Sequence, residues 1–192
     1  YSSRRQRQMC IRDSYNLVST MRAGVLTMGP LLARYPKNKI KVALGGGCAL
    51  GIRDTSWHLS GFKSLGAVNT LSKGYVNIYS KNGLKGNIYK FPKVTVTGSS
   101  NLIMASVLIS GEHIIKNISI EPEVKDLIKF LNNSGAKIKF IGKRSIKIIG
   151  VRELIDGEHN IIGDRIEAFS YLCVGAATNG RIKVKNLSLI HI

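Results

Sequence analysis

The sequence predicts an α/β fold assembled from repeated units, with helices enclosed and sheets outermost. The chain repeats itself at a spacing of 69 residues: Leu65-Gly66-Ala67-Val68 recurs as Ser134-Gly135-Ala136-Lys137, and Gly111 with Asn117 recurs as Gly180 with Asn186. Two stretches, residues 100–109 and 166–178, are apolar nearly all round and carry the small residues Ala105, Ser106, Gly175, Ala176 and Ala177, the pattern of helices buried on every side. Segments such as Lys137-Ile138-Lys139 and Arg181-Ile182-Lys183-Val184-Lys185 alternate cations with Ile and Val, which puts the charges on one solvated strand face. One helical stripe and one alternating sheet cannot bury themselves, so copies must pack together.

Each unit reads as an apolar helix, a short turn, a strand, a second helix, then two strands about a tight turn. The first helices are residues 17–35, 100–109 and 166–178, and the strands after them are 39–43, 113–118 and 181–186. The second helices are 57–65 and 122–133; in the latter Val124, Leu127, Ile128 and Leu131 share one face, and Pro122 suits a first helical turn. The paired strands are 68–71 with 76–79, and 137–140 with 145–149.

Composition narrows the class. At 192 residues, 44% hydrophobic and 21% charged, the chain can bury a core of its own. Its three cysteines, Cys10, Cys48 and Cys173, have no paired spacing, which argues for a reducing compartment and against a disulfide scaffold. No Cys/His set has metal-ligand spacing. No apolar run reaches the roughly 18 residues that span a bilayer. The net charge of +18 raises a nucleic-acid reading, a basic non-catalytic binding module. The lysines are scattered through strands without interleaved aromatics, so solvated sheet faces account for them better, and the same charge steers small anions.

The most informative segment is Gly45-Gly46-Gly47-Cys48-Ala49-Leu50-Gly51, a thiol in a glycine-packed loop, followed by Arg53 and His58. Glycine lets backbone turn tightly and approach a ligand closely, at an entropic cost that plain packing does not justify. A thiol on such a loop can deliver a proton or trap an activated carbon. The ends read differently. Residues 1–14, with RRQRQMCIRD, and residues 187–192, LSLIHI, resemble translated adaptor sequence and are expected to be non-native.

At the Cys48 loop the chain resembles the central part of the bacterial UDP-N-acetylglucosamine 1-carboxyvinyltransferases, a family of enolpyruvyl transferases. The matching stretches are Thr20-Met21-Arg22-Ala23, Gly46-Gly47-Cys48-Ala49-Leu50-Gly51-Ile52-Arg53 with His58, Glu121-Pro122-Glu123 and Asp164-Arg165-Ile166-Glu167, in the family's order. The resemblance implies an inside-out α/β barrel of repeated βαβαββ units, helices inside and sheets outside. Residues 15–163 are then most of one domain and 164–186 the hinge and start of a second, in a family chain more than twice this length. It implies a cytoplasmic enzyme of peptidoglycan precursor synthesis whose substrates are phosphoenolpyruvate and UDP-N-acetylglucosamine, with no cofactor, metal, nucleic acid or membrane insertion. The related transferase acting on shikimate phosphate shares the repeat and lacks the cysteine loop. The isolated chain, holding one wall of the cleft, is expected to turn over little.

By the same resemblance Cys48 is the catalytic thiol, and Arg53 and Arg22 are substrate-side arginines. Asp164 faces the reacting carbon, Arg165 interacts across the closed cleft, and Thr95, Thr97 and Gly98 line the nucleotide. Plainer readings stand beside several of these. Asp164 is placed to cap the helix it precedes, Ser99 and Ser100 to cap theirs, Glu121 and Glu123 to favour any helix start, His58 to serve structurally, and Cys173 to fill an apolar helix. Where the family has Arg-Pro-x-Asp-x-His, this chain has Arg53-Asp54-Thr55-Ser56-Trp57-His58, and Gly45 replaces a proline.

Overall fold

A computed structural model describes residues 21–44 and 54–187; the Cys48 loop with Arg53, residues 1–20 and 188–192, and the Arg22 side chain lie outside the described set. A 3-10 turn, Arg22–Thr27, leads into α1 (Met28–Arg34) and β1 (Ile40–Ala43). Then come α2 (Ser56–Ser64), β2 (Val68–Ser72), β3 (Tyr75–Tyr79) and the short β4 (Ile88–Lys90). The second unit follows as α3 (Val96–Ser106), β5 (Glu112–Lys116), α4 (Pro122–Asn133), β6 (Lys137–Gly142) and β7 (Ser145–Ile149), and α5 (Arg165–Ala177) begins a third. Strands β1-β3-β2 form an antiparallel sheet, and β4-β5-β7-β6 form a second in which only β4 and β5 run parallel.

The repeat is visible in backbone geometry. Helices α2 and α4 end alike. The amides of Gly66 and Ala67 bond the carbonyls of Lys63 and Phe62, and those of Gly135 and Ala136 bond Asn132 and Leu131. This is the paired bonding that closes a helix on a left-handed residue, and the two glycines have φ of 90° and 92°. Asn117 and Asn186, 69 residues apart, share φ of 59° and 58°. Thr95 and Asp164, also 69 apart, cap α3 and α5 with their side chains.

Helix α3 is the centre of the core, with Gly98, Ser99, Asn101, Leu102, Ile103, Ala105 and Ser106 all buried. Small residues on its neighbours let it sit close: a Cβ at Gly29 of α1 would collide with the Asn101 carbonyl, and one at Gly61 of α2 would lie 3.2 Å from Leu102 methyls. On the sheets Val76, Ile78, Ile115, Ile146 and Ile148 point into the core while Lys41, Lys137 and Lys139 stay exposed. The alternating β/α units hold and α3 is enclosed, but α2 and α4 keep one face exposed, and a closed barrel is not seen among the described residues.

Three expectations need correction. Residues 17–35 do not form one helix through their described part: the 3-10 turn precedes α1 and the helix stops at Arg34. Residues 181–186 form no strand, because no described segment offers them a ladder partner. Helix α5 forms where expected but is not enclosed: only Ala168 and Gly175 are buried, while Ile166, Phe169 and Val174 are 65%, 66% and 54% exposed. Cys173 lies exposed on it and fills nothing among the described residues.

Candidate active site

The Cys48 loop hangs between two fixed points. On one side β1 ends and the Leu44 amide bonds the Gly74 carbonyl at 2.8 Å, tying the loop's start to the β2–β3 hairpin tip. On the other, Asp54 takes hydrogen bonds from the Ser56 amide (2.7 Å) and hydroxyl (2.5 Å), which hold its carboxyl below the usual 3.8. Two of the three departures from the family pattern thus bond each other: Asp54 accepts from the helix start, as Thr55, the residue at the cap position, does not.

One turn into α2, His58 is buried in a polar cluster that joins three helices. The Asn101 side-chain oxygen accepts from the Gly29 amide at 2.7 Å, which fixes the orientation of the carboxamide. Its nitrogen therefore donates to the Val25 carbonyl (2.9 Å) and to His58 Nδ1 (3.0 Å). An accepting Nδ1 leaves the ring proton on Nε2, which faces the Thr97 hydroxyl at 3.3 Å. Asn101 was not singled out by the sequence; its partners are 72, 76 and 43 residues away.

The residues expected to line a nucleotide have local work as well. Thr95 Oγ1 accepts from the Gly98 amide at 3.2 Å, capping α3, and a Cβ at Gly98 would lie 2.5 Å from Thr95 Cγ2. Only glycine lets the threonine fold over its own helix end. Below it the Ser99 hydroxyl donates to the Thr95 carbonyl (2.5 Å) and accepts from the Ser119 amide (3.0 Å), and Ser119 Oγ accepts from the Glu121 amide (3.3 Å). Both serines are fully buried, so this relay fixes the start of α4 against that of α3.

From α4 the chain of contacts reaches α5. Arg165 sets its guanidinium between Glu123 (Nη2 at 3.1 Å, Nε at 3.5 Å) and Glu121 (Nη2 at 3.4 Å). The Glu123 bond first, then its charge, raises the arginine's pKa. Asp164 beside it accepts from the Ile166 and Glu167 amides at 2.8 and 3.3 Å, the capping geometry foreseen as one of its readings.

The N-termini of α2, α3, α4 and α5 are therefore linked in series, through His58–Thr97, Ser99–Ser119–Glu121 and Glu123–Arg165. Each carries the positive end of a peptide dipole, partly answered by Asp54, Thr95, Glu123 and Asp164, so negative groups are favoured at these ends. The structure brings Asp164 together with Arg165, and Thr95 and Gly98 together with Thr97. The Arg22 backbone opens the turn whose Val25 carbonyl bonds Asn101. Cys48 and Arg53 lie outside the described residues. Among those described, no three His, Cys, Asp or Glu side chains cluster as metal ligands, and no helix is long and apolar enough to cross a membrane.

Comparison with known proteins bears on the chain's family and fold. A family model described as EPSP synthase (3-phosphoshikimate 1-carboxyvinyltransferase) matches residues 2–192. Over 182 residues the chain is 44% identical to the UDP-N-acetylglucosamine 1-carboxyvinyltransferase of Trichlorobacter lovleyi, covering 95% of this chain and 43% of that protein. The protein of that name from Koribacter versatilis is 45% identical over 179 residues, covering 93% and 41%. Among solved structures, an enolpyruvyl transferase from Streptomyces tendae matches with TM-score 0.65 at 18% identity, covering 84% of this chain and 38% of that one. An EPSP synthase from Acinetobacter baumannii matches with TM-score 0.59 at 22% identity, covering 81% and 35%. At such identities the structural likeness is one of fold. The chain spans less than half the length of the curated relatives it matches.

Proposed function

We propose that this chain, which belongs to the EPSP synthase (3-phosphoshikimate 1-carboxyvinyltransferase) family, forms one wall of an enzyme moving enolpyruvate from phosphoenolpyruvate to the 3-hydroxyl of UDP-N-acetylglucosamine, with release of phosphate. The observation that carries the reading is the joined set of helix N-termini, the first of which, that of α2, follows the Asp54 anchor of the Cys48 loop. Phosphoenolpyruvate and a sugar nucleotide are both polyanions, and a cleft walled by helix N-termini and arginines suits them. The identity to transferases acting on that sugar nucleotide supports the choice of acceptor.

In this reading the Cys48 thiol protonates the methylene carbon of phosphoenolpyruvate as the sugar hydroxyl, losing its proton to a carboxylate, attacks the adjacent carbon. The adduct then gives a methyl proton back to the thiolate and expels phosphate, which leaves the enol ether. Arg53 and Arg22 hold phosphate, Asp164 lies near the reacting carbon, and Arg165 acts across the closed cleft. Thr95, Thr97 and Gly98 line the uridine nucleotide. Asp164 and Thr95 keep their capping bonds while doing so, which holds each side chain in one rotamer. Residues 15–163 are most of one domain, whose three units close as an inside-out barrel, and residues 164–186 begin the second. The protein works in the cytoplasm on precursors of peptidoglycan.

Phosphate release by the full-length protein tests the reading. It should require both phosphoenolpyruvate and UDP-N-acetylglucosamine, and Cys48→Ala should lower it by about a hundredfold or more, the scale of a lost general acid. Release with shikimate 3-phosphate in place of the sugar nucleotide would reassign the acceptor. Unchanged turnover in Cys48→Ala would remove the thiol from the mechanism.

A further inference from the structure

After β7 the chain crosses back along α4 without secondary structure, from the helix's last turn to its first. The Ile155 amide bonds the Ser134 carbonyl at 2.9 Å, and Gly157 lies against the Asn133 carbonyl, where a Cβ would sit 3.4 Å away. Midway, His159 Nε2 meets Asp126 Oδ1 at 3.0 Å, with side chains only 8% and 14% exposed. Its ring stands edge-on to Phe130, with centroids 5.5 Å apart. At the far end Arg165 grips Glu121 and Glu123. Between the last two ties the crossover stands off the helix around an apolar groove of about 610 Å³, lined by Leu127, Phe130, Ile161, Ile162 and Ile166 among others.

The first unit holds its crossover in the same way, which makes the arrangement a property of the repeat. The Lys85 amide bonds Leu65, Asn87 Nδ2 donates to the Ser64 carbonyl at 2.9 Å, and the Tyr89 hydroxyl meets Ser60 Oγ at 2.7 Å. Positions 85, 87 and 89 plus 70 are 155, 157 and 159. Tyr89 leads within six residues to the Thr95 cap, and His159 within five to the Asp164 cap.

We propose that His159, held by Asp126, is a positioning residue: it latches the crossover to α4 and so sets where Asp164 and Arg165 stand in the cleft. The site role rests on the transferase reading; the latch does not. Without the latch, the stretch from the Ile155 bond to Arg165 has no polar tie to α4 between its ends and runs over an apolar groove. Asp164 keeps its cap but loses its fixed place relative to α4. The imidazole does two things that a generic surface residue does not: it donates to a nearly buried carboxylate, and it packs its ring against Phe130.

The test uses the full-length protein with three substitutions. His159→Phe keeps the ring and removes the donor, His159→Gln puts an amide nitrogen near the place of Nε2, and Asp126→Ala removes the acceptor. Thermolysin cleavage before Ile161 and Ile162, followed by mass spectrometry, reads local opening. It should rise roughly tenfold in His159→Phe and Asp126→Ala, and stay near wild type in His159→Gln. In the phosphate-release assay kcat should fall several-fold in the first two, with KM for the sugar nucleotide unchanged and kcat restored in His159→Gln. Wild-type cleavage in His159→Phe overturns the latch. Faster cleavage with kcat unchanged leaves the latch standing and overturns the positioning role. A wild-type protein that transfers no enolpyruvate defeats the function reading alone, because cleavage still decides the latch.

Discussion

Asn101 shows how much one side chain can organise here. It is fully buried and spends its carboxamide on Gly29, Val25 and His58, so a single residue of α3 sets α1, α2 and the turn carrying Arg22 in place. Each partner left bare in the core costs on the order of 1–3 kcal/mol, part of which relaxation recovers. Asn101→Ala should destabilise the full-length protein by about 3 kcal/mol, read as a lower denaturation midpoint at unchanged slope. Asn101→Asp should not rescue it, since a carboxylate accepts from Gly29 but cannot donate to Val25. None of this was legible beforehand, because an asparagine in an apolar helix looks like any other polar interruption. The same holds for Asp126 and His159, 33 residues apart and both common surface types. Cys48, by contrast, stood out through its glycines, and Asp164 through its place before an apolar helix.

At the scale of elements, the two helix endings at Gly66 and Gly135 form a natural internal control. A Cβ at either would meet only ordinary contacts, Gly83 O at 3.8 Å and Ile155 Cγ1 at 3.6 Å, so the cost of substitution is backbone strain at φ of 90° and 92°. Gly66→Ala and Gly135→Ala should each cost about 1–2 kcal/mol, equal within error in chemical denaturation. A large inequality would mean that the two units do not share their folding constraints. The repeat was legible because such endings demand one residue type at a fixed spacing. Strand β4 was missed because three residues, two of them exposed, show no alternation to detect. Residues 181–186 misled in the opposite sense: their alternation is strand-like, but a ladder also needs a neighbour, and periodicity says nothing about neighbours.

For the whole molecule, the feature that stands apart is α5. Its sequence was read as enclosed, and its apolar circumference fits that, yet Ile166, Phe169, Tyr171 and Val174 are all exposed. Burial is a property of surroundings, and composition reports only fitness for it. A contiguous apolar face of this kind is sticky. Sedimentation of the 192-residue chain should show concentration-dependent self-association, and Phe169→Lys should weaken it without moving the melting of α1–α4. Association that ignores this substitution would put the sticky surface elsewhere.

The crossovers along α2 and α4 also divide the molecule into two ends with different evolutionary freedom. Helices leave the end where their N-termini are linked, and β1, β2, β4, β5, β6 and the crossovers return to it. Strands β3 and β7 run away from it, and the turns at Lys73-Gly74 and Lys143-Arg144 close there, the second tied to Ile118. Among the described residues, the opposite end holds the helix endings at Gly66 and Gly135 and the reversals near residues 36–38, 80–83, 110–111 and 150–152. The reversals at 80–83, 110–111 and 150–152 are tied in turn, by the Ser80 hydroxyl to the Gly66 and Gly83 carbonyls and by the Gly150 amide to Gly111, so an inserted residue is best tolerated at the exposed Lys37-Asn38. The same insertion at 73–74 or 117–121 shifts an anchor of the cysteine loop or the Ser119 relay. Loop length is thus cheap at residues 37–38, where tags and labels belong, and constrained at the other turns.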